Sequence, residues 1–347
     1  MPIHCPHSLP INTAGGATAT AAGTAAAAAD TGLVCAAAWV DVASADAAAA
    51  AAIALDGPTL LPGDRRNRVM WLNNERVFYA GLLGAVSQRT LGGWLVYVSL
   101  GAPIRIAMAA PGDTASLADA AWQSTDLAVL PPYTPHRVAC EQRLICSLTI
   151  EPETVDEAAL PAFMRQRNGV QPVDAAAAQR VVQRVRAAHA WLRQQGPQTF
   201  LQPPLQTASF DLLCWGQPLP QRRIDARIEQ VLEAMRNNPS QSTTAQQCAA
   251  DVGLSFSRFL HLFKAEVGTP FRSLRTWKRA RSLLHHVKRE TNLVHVALDA
   301  GYPDSTHFSH SVRQVYGLKP RDLFAGSRQL RVLGDSPAAR AALLADG

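Results

Sequence analysis

No Lys or Arg occurs before Arg65 in this chain of 347 residues. A signal peptide or an inside-facing membrane anchor needs a positive flank. The one long, weakly apolar run, Val34 to Leu55, therefore reads as neither, and Asp41 and Asp46 interrupt it. Cysteine is sparse and scattered. Cys5, Cys35, Cys140, Cys146, Cys214 and Cys248 form no Cys-x-x-Cys pair. That argues against a structural metal site and fits a reduced cytoplasm better than a disulfide-stapled secreted domain. A glycine-rich phosphate loop is missing, and so is any convincing Ser/His/Asp arrangement. No catalytic residue and no cofactor is therefore assigned, and the chain does not read as an enzyme.

What is present divides the chain. Its length suits two domains with two real cores. Residues 221–330 hold 17 Lys and Arg against 9 Asp and Glu, a balance of +8, while the whole chain carries +6. The remainder is thus slightly acidic, and the positive charge sits on one half, as a polyanion binder requires. Residues 1–56 are a low-complexity extension rich in Ala, Thr and Gly, expected to be mobile. Residues 57–155 look β-rich. Arg76–Ala80, Trp94–Leu100, Ile104–Met108 and Leu144–Ile150 are runs of β-branched and aromatic residues, several bounded by Gly or Pro turns. Ala175 to Leu192 has Val181, Val182, Val185, Ala188 and Trp191 at helical spacing. It reads as a helix packed on its own strands. Residues 196–223, rich in Gln and Pro, read as a linker interrupted by Phe210–Trp215, and residues 327–347 as a frayed tail.

The stretch from Gly253 to Lys264 carries the strongest signal. Thr244 is a good N-cap for a short helix, with Gln247 as its capping-box partner. Gly253 stands where that helix must stop, since glycine turns left-handed cheaply. Ser255 can cap a second helix with Phe259, Leu262 and Phe263 on one face and Ser257, Arg258, His261 and Lys264 on the other. The pattern returns 48 residues on. Asn292 is placed to cap a short helix holding Val296 and Ala297, Gly301 ends it, and Asp304 caps the next, with Pro303 inserted. Phe308 matches Phe259, His310 matches His261, Arg313 matches Lys264 and Gly317 matches Gly268. Two helix-turn-helix units, about 244–264 and 292–315, in a basic segment point to the DNA major groove. Ile224–Arg236 reads as a preceding helix and Phe271–Leu284 as a central one. On the central helix Arg272, Arg275, Lys278, Arg279 and Arg281 read mostly as a solvated face.

These residues give a specific resemblance. Ala249, Gly253, Leu254, Ser255, Phe259, Phe263, Lys264, Gly268, Thr269 and Pro270, then Ala297, Gly301, Tyr302, Phe308, Ser309, Tyr316, Gly317 and Pro320, resemble the C-terminal DNA-binding domain of the AraC/XylS family of transcription regulators. The likeness covers about a hundred residues. It departs at Val312, where the family usually shows an aromatic residue. Residues 125–139, a strand, a proline turn, His136 and a returning strand, resemble the second half of a cupin barrel, which the family often carries as an effector-sensing domain. The first cupin metal motif is missing, since Gly81–Gly101 contains neither His nor Glu. One His does not hold a catalytic metal, so no metal is assigned.

The resemblance implies an α+β multidomain chain: a cupin-like barrel with flanking helices over 57–195, and an all-α DNA-binding domain over 224–326. It implies double-stranded DNA as partner, a small-molecule effector, RNA polymerase if the protein activates, and a homodimer. Base contacts are expected from Ser257, Arg258, Leu260 and His261 on the first recognition helix and Ser305, Thr306, Ser309 and His310 on the second, with Lys264 and Arg313 beside them. Trp94, Tyr97, Tyr133 and His136 are the candidates for an effector pocket and equally for plain core. Two rivals remain open. One is a ligand-independent DNA-binding protein whose barrel only dimerises. The other is a cupin enzyme with a DNA-binding appendage.

Overall fold

In the computed structural model the described residues are 68–108, 117, 120–167, 171–194, 207–241, 243–287, 293–326 and 330–334. The strands are β1 Val69–Leu72, β2 Arg76–Leu82, β3 Trp94–Ser99, β4 Ile104–Met108, β5 Gln123–Thr125, β6 Leu127–Leu130, β7 His136–Ala139, β8 Leu144–Ile150, β9 Gln166–Arg167, β10 Gln171–Pro172 and β11 Arg331–Gly334. The α-helices are α1 Ala175–Gln194, α2 Thr207–Trp215, α3 Ala226–Asn237, α4 Ala245–Asp251, α5 Phe256–Val267, α6 Phe271–Ser282, α7 Leu293–Asp299, α8 Ser305–Tyr316 and α9 Pro320–Gly326.

The strand half is layered. A six-stranded sheet runs β11-β1-β2-β8-β3-β6, and a three-stranded sheet runs β5-β4-β7. Among the described residues no strand ladder joins the two, so they face each other as two sheets and not as a closed barrel. All six residues of β3 are buried, because both of its faces are covered. Leu95 and Tyr97 point into the core between the sheets, with Ile104, Ile106, Leu130, Val138 and Ile145. Trp94, Val96 and Val98 point the other way, into a core shared with α1 and α2. Side chains alternate across a strand, so one run of β-branched residues supplies two cores.

Two segments read as a linker and a tail take part in this half. The expected linker contains α2, whose Phe210, Cys214 and Trp215 are buried in the same core as Val181 and Val185 of α1. Buried Asp211 on α2 accepts two guanidinium hydrogen bonds from buried Arg76, at 2.9 and 3.0 Å. The expected frayed tail contains β11, which pairs in parallel with β1. The Ala-rich extension and Asn292 lie outside the described residues.

The helical half has two cores. One joins α3 to the first unit and α6 through Ile228, Leu232, Phe259, Phe263, Phe271 and Leu274. The other packs Val296, Tyr302, Phe308 and Val312 of the second unit against Leu283, in the single 3-10 turn that follows α6. Val312, the departure from the family pattern, is fully buried there.

Candidate nucleic-acid interface

The two units share one backbone design. In the first, Thr244 Oγ1 accepts from the Gln247 N–H at 3.2 Å, and Gln247 Oε1 accepts from the Thr244 N–H at 3.0 Å. The capping box read from the sequence therefore closes on both sides. Gly253 adopts φ 67°, and its N–H bonds Ala250 O at 3.1 Å while the Leu254 N–H bonds Ala249 O at 2.8 Å. The second unit repeats this pair: Gly301 has φ 74°, its N–H bonds Leu298 O at 2.8 Å, and the Tyr302 N–H bonds Ala297 O at 2.9 Å. Both are Schellman stops, which satisfy carbonyls that a helix end would leave orphaned. Ser255 caps α5 by accepting from the Arg258 N–H, and Asp304 caps α8 by accepting from the Thr306 and His307 N–H groups. Gly268 and Gly317 end the two recognition helices in the same left-handed conformation.

This frame aims the side chains. Phe259 and Phe263 are buried against Phe271, with ring centroids 5.3–5.7 Å apart. Their burial turns Ser257, Arg258, Leu260, His261 and Lys264 outward, and all five are exposed. Phe308 packs on the Tyr302 ring at 5.4 Å, and the Tyr302 hydroxyl bonds Ser311 Oγ at 2.9 Å. Ser305, Thr306, His310 and Arg313 are then exposed, and Ser309 is half-buried. Phe256, at the start of α5, is exposed as well.

The central helix corrects the sequence reading. Lys278 and Arg281 are buried, not solvated. Lys278 Nζ lies 2.5 Å from Glu151 Oε2 and also pairs with Glu153. Arg281 Nε stands 2.6 Å from Glu151 Oε1, as an ion pair without hydrogen-bond alignment. Trp277 Nε1 donates to Glu151 Oε2 at 3.0 Å. Burial would raise the Glu151 pKa, but the charges of Lys278 and Arg281 outweigh it and hold it below the usual carboxylate range. Glu151 follows β8 directly, so this cluster fastens α6, and both units with it, to the strand half. A second fastening lies at the end of α8, where the Thr90 N–H bonds Gln314 O at 2.9 Å and Ser87 Oγ donates to Gly317 O at 2.5 Å.

The four effector candidates do not converge. Tyr97 and His136 meet between the sheets, the Tyr97 hydroxyl 3.0 Å from His136 Nε2. His136 Nδ1 donates to Thr134 O at 2.9 Å, so Nε2 accepts from the tyrosine. Burial lowers the His136 pKa to about 4, and the pair is mutually satisfied. Trp94 faces the opposite core. Tyr133, at φ 61°, donates its N–H to Leu91 O, and its raised pKa reflects burial first, with Glu151 and Glu153 adding to it. Among the described residues no group of three His, Cys, Asp or Glu is placed to hold a metal. Among them also, no helix is long and apolar enough to cross a membrane.

Two short helices at a glycine turn, twice over, with polar outward faces, define a double helix-turn-helix domain. Residues 248–326 match a family model described as a helix-turn-helix domain, and in this segment the chain carries the AraC-type form of it. The chain is 34% identical over 81 residues to the invasion protein InvF of Salmonella typhimurium, which is 23% of this chain and 38% of InvF. It is 31% identical over 105 residues to the transcriptional activator RhaS of Klebsiella pneumoniae, 29% of this chain and 37% of RhaS. The chain thus spans under two fifths of the length of these relatives. Among solved structures, ToxT of Vibrio cholerae is similar at 9% identity and a TM-score of 0.44, over 73% of this chain and 98% of that one. That likeness is too slight to carry an argument.

Proposed function

We propose that the protein is a sequence-specific, DNA-binding transcription regulator of the AraC type. The carrying observation is the pair of matching units, each presenting a capped twelve-residue recognition helix whose polar side is free. Lys264 and Arg313 neutralise phosphates. Ser257, Arg258, His261, Ser305, Thr306, Ser309 and His310 read base edges, and Leu260 touches a thymine methyl. Two such helices in one chain read major-groove segments about one helical turn, roughly 34 Å, apart. In this reading the protein acts in the cytoplasm, a homodimer doubles the site, and an activator form contacts RNA polymerase.

The strand half, over residues 57–195, senses a small molecule in this reading. The fastening through Glu151 supplies the route by which a change there reaches α6. A second reading, in which this half only dimerises, is favoured by the mutual satisfaction of Tyr97 and His136. A ligand that raises the thermal stability of the strand half separates the two.

The test is capture of genomic fragments by purified full-length protein at two salt concentrations. A shared site spanning about two helical turns, lost in a His261→Ala/His310→Ala double variant, supports the proposal. Uniform, salt-sensitive binding with no shared site overturns it.

A further inference from the structure

A cleft of about 600 Å³ opens between the start of α4, one face of α6 and the outer face of α8. Arg272, Arg275 and Arg279 line it from α6, and His307 and His310 line it from α8. No acidic side chain is among its lining residues. The three arginines stand at i, i+3 and i+7, so they share one face of the helix. Lys278 and Arg281, on the other face, are already neutralised by Glu151 and Glu153. The cleft arginines have no such partner among the described ion pairs. Arg275 donates to the Thr243 carbonyl. Arg279 packs its guanidinium 5.6 Å from the centroid of the Tyr302 ring, while its Nε and Nη2 are buried without a hydrogen-bond acceptor. Burial, and then the Arg275 charge, lower its pKa.

Buried donors left unmet are costly, and three like charges in one cleft call for an anion. The guanidinium fork matches two phosphate oxygens at once. We propose that this cleft seats a backbone phosphate of the DNA, at the stretch lying between the two groove segments taken by α5 and α8. The assignment rests on the DNA-binding reading and adds to it a contact between the two helices that is independent of base sequence. His310 lines both the cleft and the recognition face, so the test uses the arginines.

Full-length protein carrying Arg272→Gln/Arg279→Gln is titrated with the captured fragment and with a random duplex, across salt concentrations. The slope of log K against log salt is expected to flatten by about one, the value of a single phosphate contact. Affinity for both duplexes is expected to fall by the same factor, on the order of tenfold. Arg279→Lys keeps the charge and should keep the slope. If the double variant unfolds, Arg272→Gln alone, at an exposed position, carries the same test. In a scan of uncharged methylphosphonates along the captured fragment, one linkage between the half-sites should cost wild-type protein affinity and cost the variant nothing.

An unchanged slope in a folded variant, or a methylphosphonate penalty that persists in it, overturns the assignment. So does inorganic phosphate that stabilises the DNA-free protein through these arginines while the slope stays fixed, which would mark a free-anion site. Wild-type protein that binds no duplex overturns the DNA-binding reading as well. Wild-type protein that binds with a slope the variant shares overturns the cleft alone.

Discussion

The two helix-turn-helix units share a skeleton and differ in what surrounds it. Gly253 and Gly301 make the same two stopping bonds at nearly the same φ. Yet a Cβ on Gly253 would meet open space, whereas one on Gly301 would run into the Ser240 backbone carbonyl. Ser255 receives one N–H, at 3.4 Å. Asp304 receives two, at 2.8 Å, and its carboxylate also pairs with His307 at 2.7 Å. The first helix carries two cations outward, Arg258 and Lys264, and the second carries one, Arg313, beside Ser305, Thr306 and His310. The comparison teaches that local hydrogen-bond rules set the frame, while packing and charge give each copy its own tolerance and chemistry.

The largest expected effect falls on what both units share. Glu151→Gln would leave Lys278 and Arg281 buried with less compensation. Breaking a buried ion pair from one side costs about 3 kcal/mol or more. Urea unfolding should show that loss, and amide exchange should rise in α6 and in both recognition helices together. A loss confined to one unit would break the claim that α6 holds the two in common.

The glycines separate the copies. Gly253→Ala adds only left-handed strain, about 1 kcal/mol. Gly301→Ala adds the collision with Ser240 to that strain, for roughly 3 kcal/mol. Equal losses in denaturant midpoints would show that Ser240 gives way.

The caps should separate them least, and only in acid. Backbone N–H bonding from His307, followed by its ring, lowers the Asp304 pKa below its ordinary value. A depressed carboxyl stabilises fully above its unfolded value, 3.8, and loses that contribution as pH falls through the lower folded value. The Thr306 and His307 amides should therefore lose protection in that window, while the Arg258 amide, capped by a hydroxyl that does not titrate, should not. Parallel loss at both caps would contradict the assignment.

Legibility followed the range of the forces. The caps at Thr244, Ser255 and Asp304, the glycine stops and the apolar faces of α5 and α8 depend on neighbours within about five residues, and they stand in the structure where the sequence put them. The runs at β2, β3, β4 and β8 were legible as strands for the same reason. Lys278 and Arg281 were misread because their partner Glu151 lies more than 120 residues away. No local pattern marks a lysine as buried. The role of α2 in the core of the strand half and the pairing of β11 with β1 are likewise contacts between distant segments. The grouping of Trp94 with Tyr97 was avoidable, since three positions along a strand place two rings on opposite faces.

The most direct test is selection from a randomised duplex library by full-length protein carrying His261→Ala or His310→Ala singly. Each variant should lose the base preference of one groove segment and keep that of the other, the two lost segments lying about one helical turn apart. Variants that both keep the whole site, or both lose the same segment, would contradict the claim that each unit reads its own stretch of DNA.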